Sequence, residues 1–183
     1  HSIRQEMEFK EKLLKIKAFA MDIDGVITDG SVLVSESGKP LRNFNEKDGF
    51  ALRLAATQGY RLACITGGSL EAVRVRMKAY GVPAEDVYMH SCNKIADFRL
   101  FCEKYGLAAD EVLYMGDDLP DLPVIMAAGL GVAPADAAPE VLSAADYVTP
   151  CNGGRGVVRN TIELVLRAQG KWVFDVEKYA RMF

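Results

Sequence analysis

The chain has 183 residues, half of them hydrophobic, with 22 Lys and Arg against 25 Asp and Glu and a net charge of −3. That length suits one domain, 1–183, with a full core and leaves little for a second. No basic block is present to bind nucleic acid, and no run approaches the roughly 18 apolar residues of a membrane span. The four cysteines (Cys64, Cys92, Cys102, Cys151) form no C-x-x-C pair and read as reduced thiols of a cytoplasmic protein. The start shows no signal-peptide pattern, and His1-Ser2 reads as the remnant of a cleaved tag.

Short apolar runs alternate with amphipathic stretches along the whole chain. The first run, "KAFAMD", predicts a strand ending at Asp22. "SVLVSESGKPLRNFN" (31–45) predicts a β-hairpin turning at Ser37-Gly38. Phe50–Gln58 then predicts a helix closed by Gly59, followed by a strand in "YRLACIT" ending at Thr66. Leu70–Tyr80 closed by Gly81, strand "DVYMH", and Lys94–Tyr105 closed by Gly106 continue the alternation. Strand "EVLYMGD" ends at Asp117, Pro123 opens a helix, and "LGVAPA", "DYVT" and a helix over Arg155–Ala168 complete the series. Runs that are apolar throughout suit strands buried on both faces. The fold expected is α/β, a Rossmann-like parallel sheet flanked by helices with a hairpin insert after the first strand.

In such folds the working face is the carboxyl edge of the strands. Asp22, Thr66 and Asp117 end three strands there, and Lys94 opens the helix after a fourth. A D-x-D pair alone says little, since roughly one is expected by chance in such a chain. Asp22 and Asp24, however, follow a buried strand and precede Gly25, which permits a sharp turn. Two neighbouring carboxylates repel unless a cation intervenes, and with Asp117 they form a hard oxygen set suited to Mg²⁺. Lys94 supplies a point charge for phosphate, Thr66 a hydroxyl, and the Gly67-Gly68 backbone N–H groups. This set fits phosphoryl transfer through an aspartyl-phosphate, Asp22 attacking phosphorus and Asp24 serving as acid and then base. Read blandly, the acids are solvated strand ends, Lys94 a surface lysine and Thr66 a helix cap.

The motifs Asp22-Ile23-Asp24-Gly25, Thr66-Gly67, Lys94 and Gly116-Asp117-Asp118 resemble those of the haloacid dehalogenase superfamily, whose phosphatase branch carries the second Asp. The intervals between motifs leave no room for that superfamily's cap domain. An open site then needs another cover, for which a partner subunit is the obvious candidate. "FNEKDG", "GDDLPDLPV", "GGRGVVR" and "RAQGKW" further resemble the 3-deoxy-D-manno-octulosonate 8-phosphate phosphatases of lipopolysaccharide synthesis. That resemblance implies a Mg²⁺-dependent homotetramer with central hairpins and a C-terminal tail, 171–183, able to reach a neighbouring site. It also implies a sugar-acid pocket lined by Asn45, Lys47, Asp48, Gly49 and Arg76, together with Asp24, Gly67 and Lys94. Arg76 would meet the substrate carboxylate, although it also reads as a plain exposed helix residue, and Asp48 as a simple turn closure.

Many relatives carry Arg directly after the motif-two glycine, where this chain has Gly68, which removes a cation near the sugar. Asp118 and Asp121 either cap the following helix or support the site from behind. The alternative readings are a nonulosonate 9-phosphate phosphatase and a non-catalytic binder of phosphorylated sugars. In the tail, the aromatics Trp172, Phe174, Tyr179 and Phe183 favour docking over disorder.

Overall fold

A computed structural model describes residues 2–69, 71–172 and 175–181. Six strands form one parallel sheet: β1 (Ala18–Met21), β4 (Arg61–Ile65), β5 (Val87–Tyr88), β6 (Val112–Met115), β7 (Leu130–Ala133) and β8 (Tyr147–Val148). Their order, β5-β4-β1-β6-β7-β8, puts β1 at the centre, paired on one side with β4 (Met21 against Cys64) and on the other with β6 (Met21 against Met115). All six expected runs are strands. The strand order reverses direction at β1, so the crevice for a ligand opens beyond its carboxyl end.

Alternate residues of each strand feed two separate cores, as the period of two requires. Phe19, Met21, Leu62, Cys64 and Met115 face one side, beneath α1 (Ile3–Lys15), α2 (Glu46–Thr57), α3 (Glu71–Ala79) and α7 (Val157–Ala168). Ala18, Ala20, Ala63, Ile65 and Tyr114 face the other, beneath α4 (Lys94–Tyr105), α5 (Leu122–Ala127) and α6 (Pro139–Ala144). Among the described residues the intervals between strands hold only helices, short turns and the hairpin β2 (Leu33–Val34) and β3 (Pro40–Leu41), with no inserted cap.

Among the helices, α1, α6 and α8 (Val176–Ala180) were not expected, and α2 starts earlier than expected. α1 was not read from the sequence, although Ser2 and Gln5 form a capping box at its start. It is largely exposed and anchored by Leu13, and Gln169 donates to the Leu13 and Ile16 carbonyls to hold its end. α6, opened by Pro139, was also missed. α2 begins at Glu46, earlier than Phe50, because the Asn45 side chain caps it by accepting from the Lys47 and Asp48 amides at 2.9 and 3.3 Å. Gly49, inside α2, is a contact point: a Cβ there would lie 2.3 Å from the Tyr80 ring.

The described part of the tail docks on its own chain. Trp172 packs against the core, and Tyr179 of α8 (Val176–Ala180) meets Phe50 edge-on with centroids 6.2 Å apart. His1, Leu70, Phe174 and Phe183, about which the sequence raised expectations, lie outside the described residues.

Candidate active site

The Asp22 amide continues the sheet ladder by donating to the Met115 carbonyl at 3.0 Å, so the first acid is fixed at the point where β1 ends. Its Oδ1 accepts from the Ile23 amide at 2.7 Å and its Oδ2 from the Lys94 ammonium at 2.8 Å. Lys94 stands at the first position of α4, behind Asn93, whose side chain caps that helix. The loop before it, including His90 in the left-handed region (φ 53), is stitched to the Thr66 loop: His90 N donates to Gly68 O and Ser91 N to Thr66 O. Thr66 is buried, and its hydroxyl accepts from the Gly68 amide at 3.1 Å, while α3 starts only at Glu71. Thr66 therefore orders a turn over Gly67 and Gly68 and is not a helix cap.

Asp117 lies beyond β6, and Gly25 makes its position possible. Gly25 has φ +84, and a Cβ on it would stand 1.8 Å from Asp117 Oδ2. Carboxylate oxygens of Asp22, Asp117 and Asp121 lie within 4.8 Å of one another. Asp121 is fully enclosed and has four partners. Its Oδ1 accepts from Lys94 at 2.9 Å and the Tyr114 hydroxyl at 2.6 Å, and its Oδ2 from the Asp117 and Asp118 amides at 2.9 and 3.2 Å. With about four lone-pair positions used, Asp121 supports the site from behind and has no acceptor left over for a metal. Asp118 is exposed and caps the turn that follows, accepting from Leu119 N at 2.8 Å.

Three carboxylates thus share one ammonium, and the electrostatics record the deficit. Burial, then the Asp121 charge, pushes Asp22 up to about 8 despite Lys94 beside it. Burial, then Asp121 and Asp118, pushes Asp117 up to about 7. Burial would lower Lys94, but Asp22 and Asp121 outweigh it and hold the ammonium charged. A hard divalent cation held at these carboxylates would supply the missing charge, so the residues present fit Mg²⁺.

The Asp24 carboxylate stands outside this three-acid group. Its Oδ1 accepts from Arg42 Nε at 2.7 Å and the Thr28 hydroxyl at 3.2 Å, and its Oδ2 from Arg42 Nη2 at 3.1 Å. Arg42, just past β3, was not singled out in the sequence. Its Nη2 lies 3.8 Å from where a Cβ on residue 68 would be, so the hairpin returns a cation to the place that Gly68 leaves open.

A cavity of about 370 Å³ lies between the hairpin and α3, lined by Arg42, Phe44, Glu46, Val73, Arg76 and Tyr80 among others. Of the expected residues only Arg76 lines it. Its guanidinium lies 5.6 Å from the Tyr80 ring centroid. Asn45 is spent on capping, Lys47 is exposed, and Gly49 is packed under Tyr80. Asp48 is 0 % exposed and accepts from the Arg159 amide at 2.8 Å, an anion at the amino end of α7.

Burial pushes Asp48 up to about 6, against the lowering effect of the Arg159 and Gly156 amides. A raised carboxyl stabilises the fold below its ordinary value near 4, and that contribution is lost as pH rises through 6. The charged form therefore costs about 3 kcal/mol at neutral pH. Urea denaturation of Asp48→Asn should show its stability relative to the wild type growing by up to about 3 kcal/mol between pH 4 and pH 7. A pH-independent difference would exclude a raised carboxyl.

Comparison with known proteins agrees with this geometry. The sequence pattern of haloacid dehalogenase-like hydrolases matches residues 69–160. The 3-deoxy-D-manno-octulosonate 8-phosphate phosphatase of Escherichia coli K12 is 41 % identical over 160 residues, covering 87 % of this chain and 84 % of that one. The crystal structure of the Moraxella catarrhalis phosphatase of that name, in complex with a magnesium ion, a phosphate ion and a KDO molecule, is similar at TM-score 0.87 and 33 % identity, covering 94 % of this chain and 97 % of that one. The cobalt-bound form of the Haemophilus influenzae phosphatase is similar at TM-score 0.86 and 30 % identity, covering 93 % and 99 %. With the acids, the lysine and the capless sheet all in place, the chain belongs to the haloacid dehalogenase-like hydrolases, in the family of the 3-deoxy-D-manno-octulosonate 8-phosphate phosphatases.

Proposed function

We propose that the protein hydrolyses 3-deoxy-D-manno-octulosonate 8-phosphate to the free sugar acid and phosphate, a step of lipopolysaccharide synthesis. The observation that carries this is the cluster at the carboxyl edge of β1 and β6, where Lys94 bridges Asp22 and Asp121 beside Asp117. Asp22 attacks phosphorus through a carboxylate oxygen. The ester P–O bond breaks with its electron pair going to the leaving oxygen, which takes a proton from Asp24. Water then attacks the aspartyl-phosphate and gives a proton to Asp24, and the phosphate departs from Asp22. Lys94, the Thr66 hydroxyl and the amides of Gly67 and Gly68 are assigned to the phosphoryl oxygens. Asp22, Asp24 and Asp117 would hold Mg²⁺, which would supply Lewis-acid neutralisation of the phosphoryl charge. The cavity with Arg76 is assigned to the sugar acid; its volume of about 370 Å³ falls in the range of small-molecule pockets, about 300–1,000 Å³.

Residues 1–183 act as one catalytic domain in this reading, within a cytoplasmic homotetramer. The hairpin supports the assembly, since Leu33, Val34 and Leu41 are 70, 66 and 52 % exposed, an apolar face suited to other copies. Among the described residues no helix is long and apolar enough to cross a membrane.

Phosphate release with Mg²⁺ from octulosonate 8-phosphate, nonulosonate 9-phosphates and hexose phosphates tests the reading. The expected preference for the octulosonate is about a hundredfold or more in kcat/KM, roughly 2.7 kcal/mol of transition-state discrimination. Equal rates across the panel would reject the substrate, and a nonulosonate preference would move the assignment to that class.

A further inference from the structure

Arg42 stands between two cavities. It lines the sugar-acid cavity with Arg76, and it lines a second, tighter space with Asp24, Thr66 and Gly68. Its Nε and Nη2 hold both oxygens of Asp24, while its Nη1 is buried with no hydrogen-bond partner. Three of the roughly four acceptor positions of Asp24 are filled, two of them by Arg42 and one by Thr28. A leaving oxygen or a water therefore meets Asp24 across a guanidinium.

In the larger cavity the balance of charge favours an anion. Arg42 and Arg76 contribute two guanidiniums, and the one carboxylate, Glu46, accepts from the Tyr80 hydroxyl at 2.7 Å. Among the described residues Arg76 forms no ion pair and Arg42 pairs only with Asp24. A planar guanidinium with a spare donor exchanges one carboxylate for another at little geometric cost. The hairpin that carries it is short, with two paired residues in each strand.

We propose that Arg42 is a specificity-determining latch, resting on Asp24 until a carboxylate on the substrate draws it into the cavity beside Arg76. This rests on the proposed sugar-acid phosphatase reading and adds to it a means of discrimination. A sugar phosphate without a carboxylate leaves the latch on Asp24 and reacts slowly even when bound. The octulosonate exposes Asp24 as it seats itself, so recognition at one end of the sugar enables the chemistry at the other.

The test compares wild type, Arg42→Ala and Arg42→Lys with Mg²⁺ on octulosonate 8-phosphate and on glucose 6-phosphate, an alkyl monoester with no carboxylate. Arg42→Ala should lower kcat/KM for the octulosonate by roughly tenfold or more, mainly through KM, as expected for one lost charge-assisted contact. It should raise kcat for glucose 6-phosphate above the wild-type value. Arg42→Lys, which keeps the charge but not the fork, should fall between the two on both substrates, and it carries the test alone if the alanine variant does not fold. A fall by the same factor on both substrates, or an unchanged kcat for glucose 6-phosphate, overturns the latch. If the wild type does not prefer the octulosonate, the substrate reading fails, and the sign of the change on glucose 6-phosphate still decides for or against the latch.

Discussion

Asp22→Asn should reduce phosphate release from octulosonate 8-phosphate by about 10⁴-fold or more, the scale seen when a nucleophile is removed. The amide keeps the shape and still accepts from Ile23 N, but it offers no anionic oxygen to phosphorus. The same change should leave the fold intact or strengthen it. Asp22 is one of three carboxylates around one ammonium, and burial raises it to about 8. A carboxyl raised in the fold contributes stability below its ordinary value near 4 and loses it as pH rises through 8. At pH 7.5 without metal, Asp22→Asn should therefore melt no lower than the wild type. A clear fall in melting temperature would contradict the raised Asp22 carboxyl, and an unchanged rate of phosphate release would deny Asp22 the role of nucleophile.

Lys94→Met should be costly in both respects. The Lys94 side chain is 7 % exposed, and its ammonium holds Asp22 at 2.8 Å and Asp121 at 2.9 Å. Removing it strands buried carboxylates without a counter-charge, which costs about 3–5 kcal/mol. It also removes a cation from the phosphoryl oxygens, with an expected fall of about 10²–10³ in kcat. The two effects separate under metal titration. Saturating Mg²⁺ should restore stability more in Lys94→Met than in the wild type, because a divalent cation replaces the missing positive charge. It should not restore the rate. Urea denaturation with and without Mg²⁺ reads the first effect, and a variant as stable as the wild type without metal would refute the shared-ammonium account.

The chemistry-bearing residues were legible because each sits at a fixed place on the strand period. Asp22, Thr66 and Asp117 follow buried runs, and α4 was bounded correctly from Lys94 to Tyr105 because Asn93 caps one end and Gly106, at φ +62, closes the other. What escaped depends on contacts that spacing does not encode. Arg42 reaches Asp24 across 18 residues only because the hairpin folds back, and nothing in "KPLRNFN" marks it. Asp48 looks like a pocket residue beside Lys47, yet it closes on Arg159, 111 residues away, at the start of α7. The D-x-D pair groups Asp24 with Asp22, and nothing in the spacing shows that its side chain turns to a guanidinium. α1 did carry a signal, Ser2 and Gln5 ahead of Leu13, that the alternation of strands and helices obscured.

The most direct test of the central claim is to quench the enzyme in acid during turnover of octulosonate 8-phosphate with Mg²⁺, digest it, and identify the phosphorylated peptide by mass spectrometry. The account predicts a phosphoryl group on Asp22, more abundant in Asp24→Asn because the water that clears it lacks its base, and absent in Asp22→Asn. Turnover with no phosphorylated Asp22 in either the wild type or Asp24→Asn, or with the group on another residue, would contradict it.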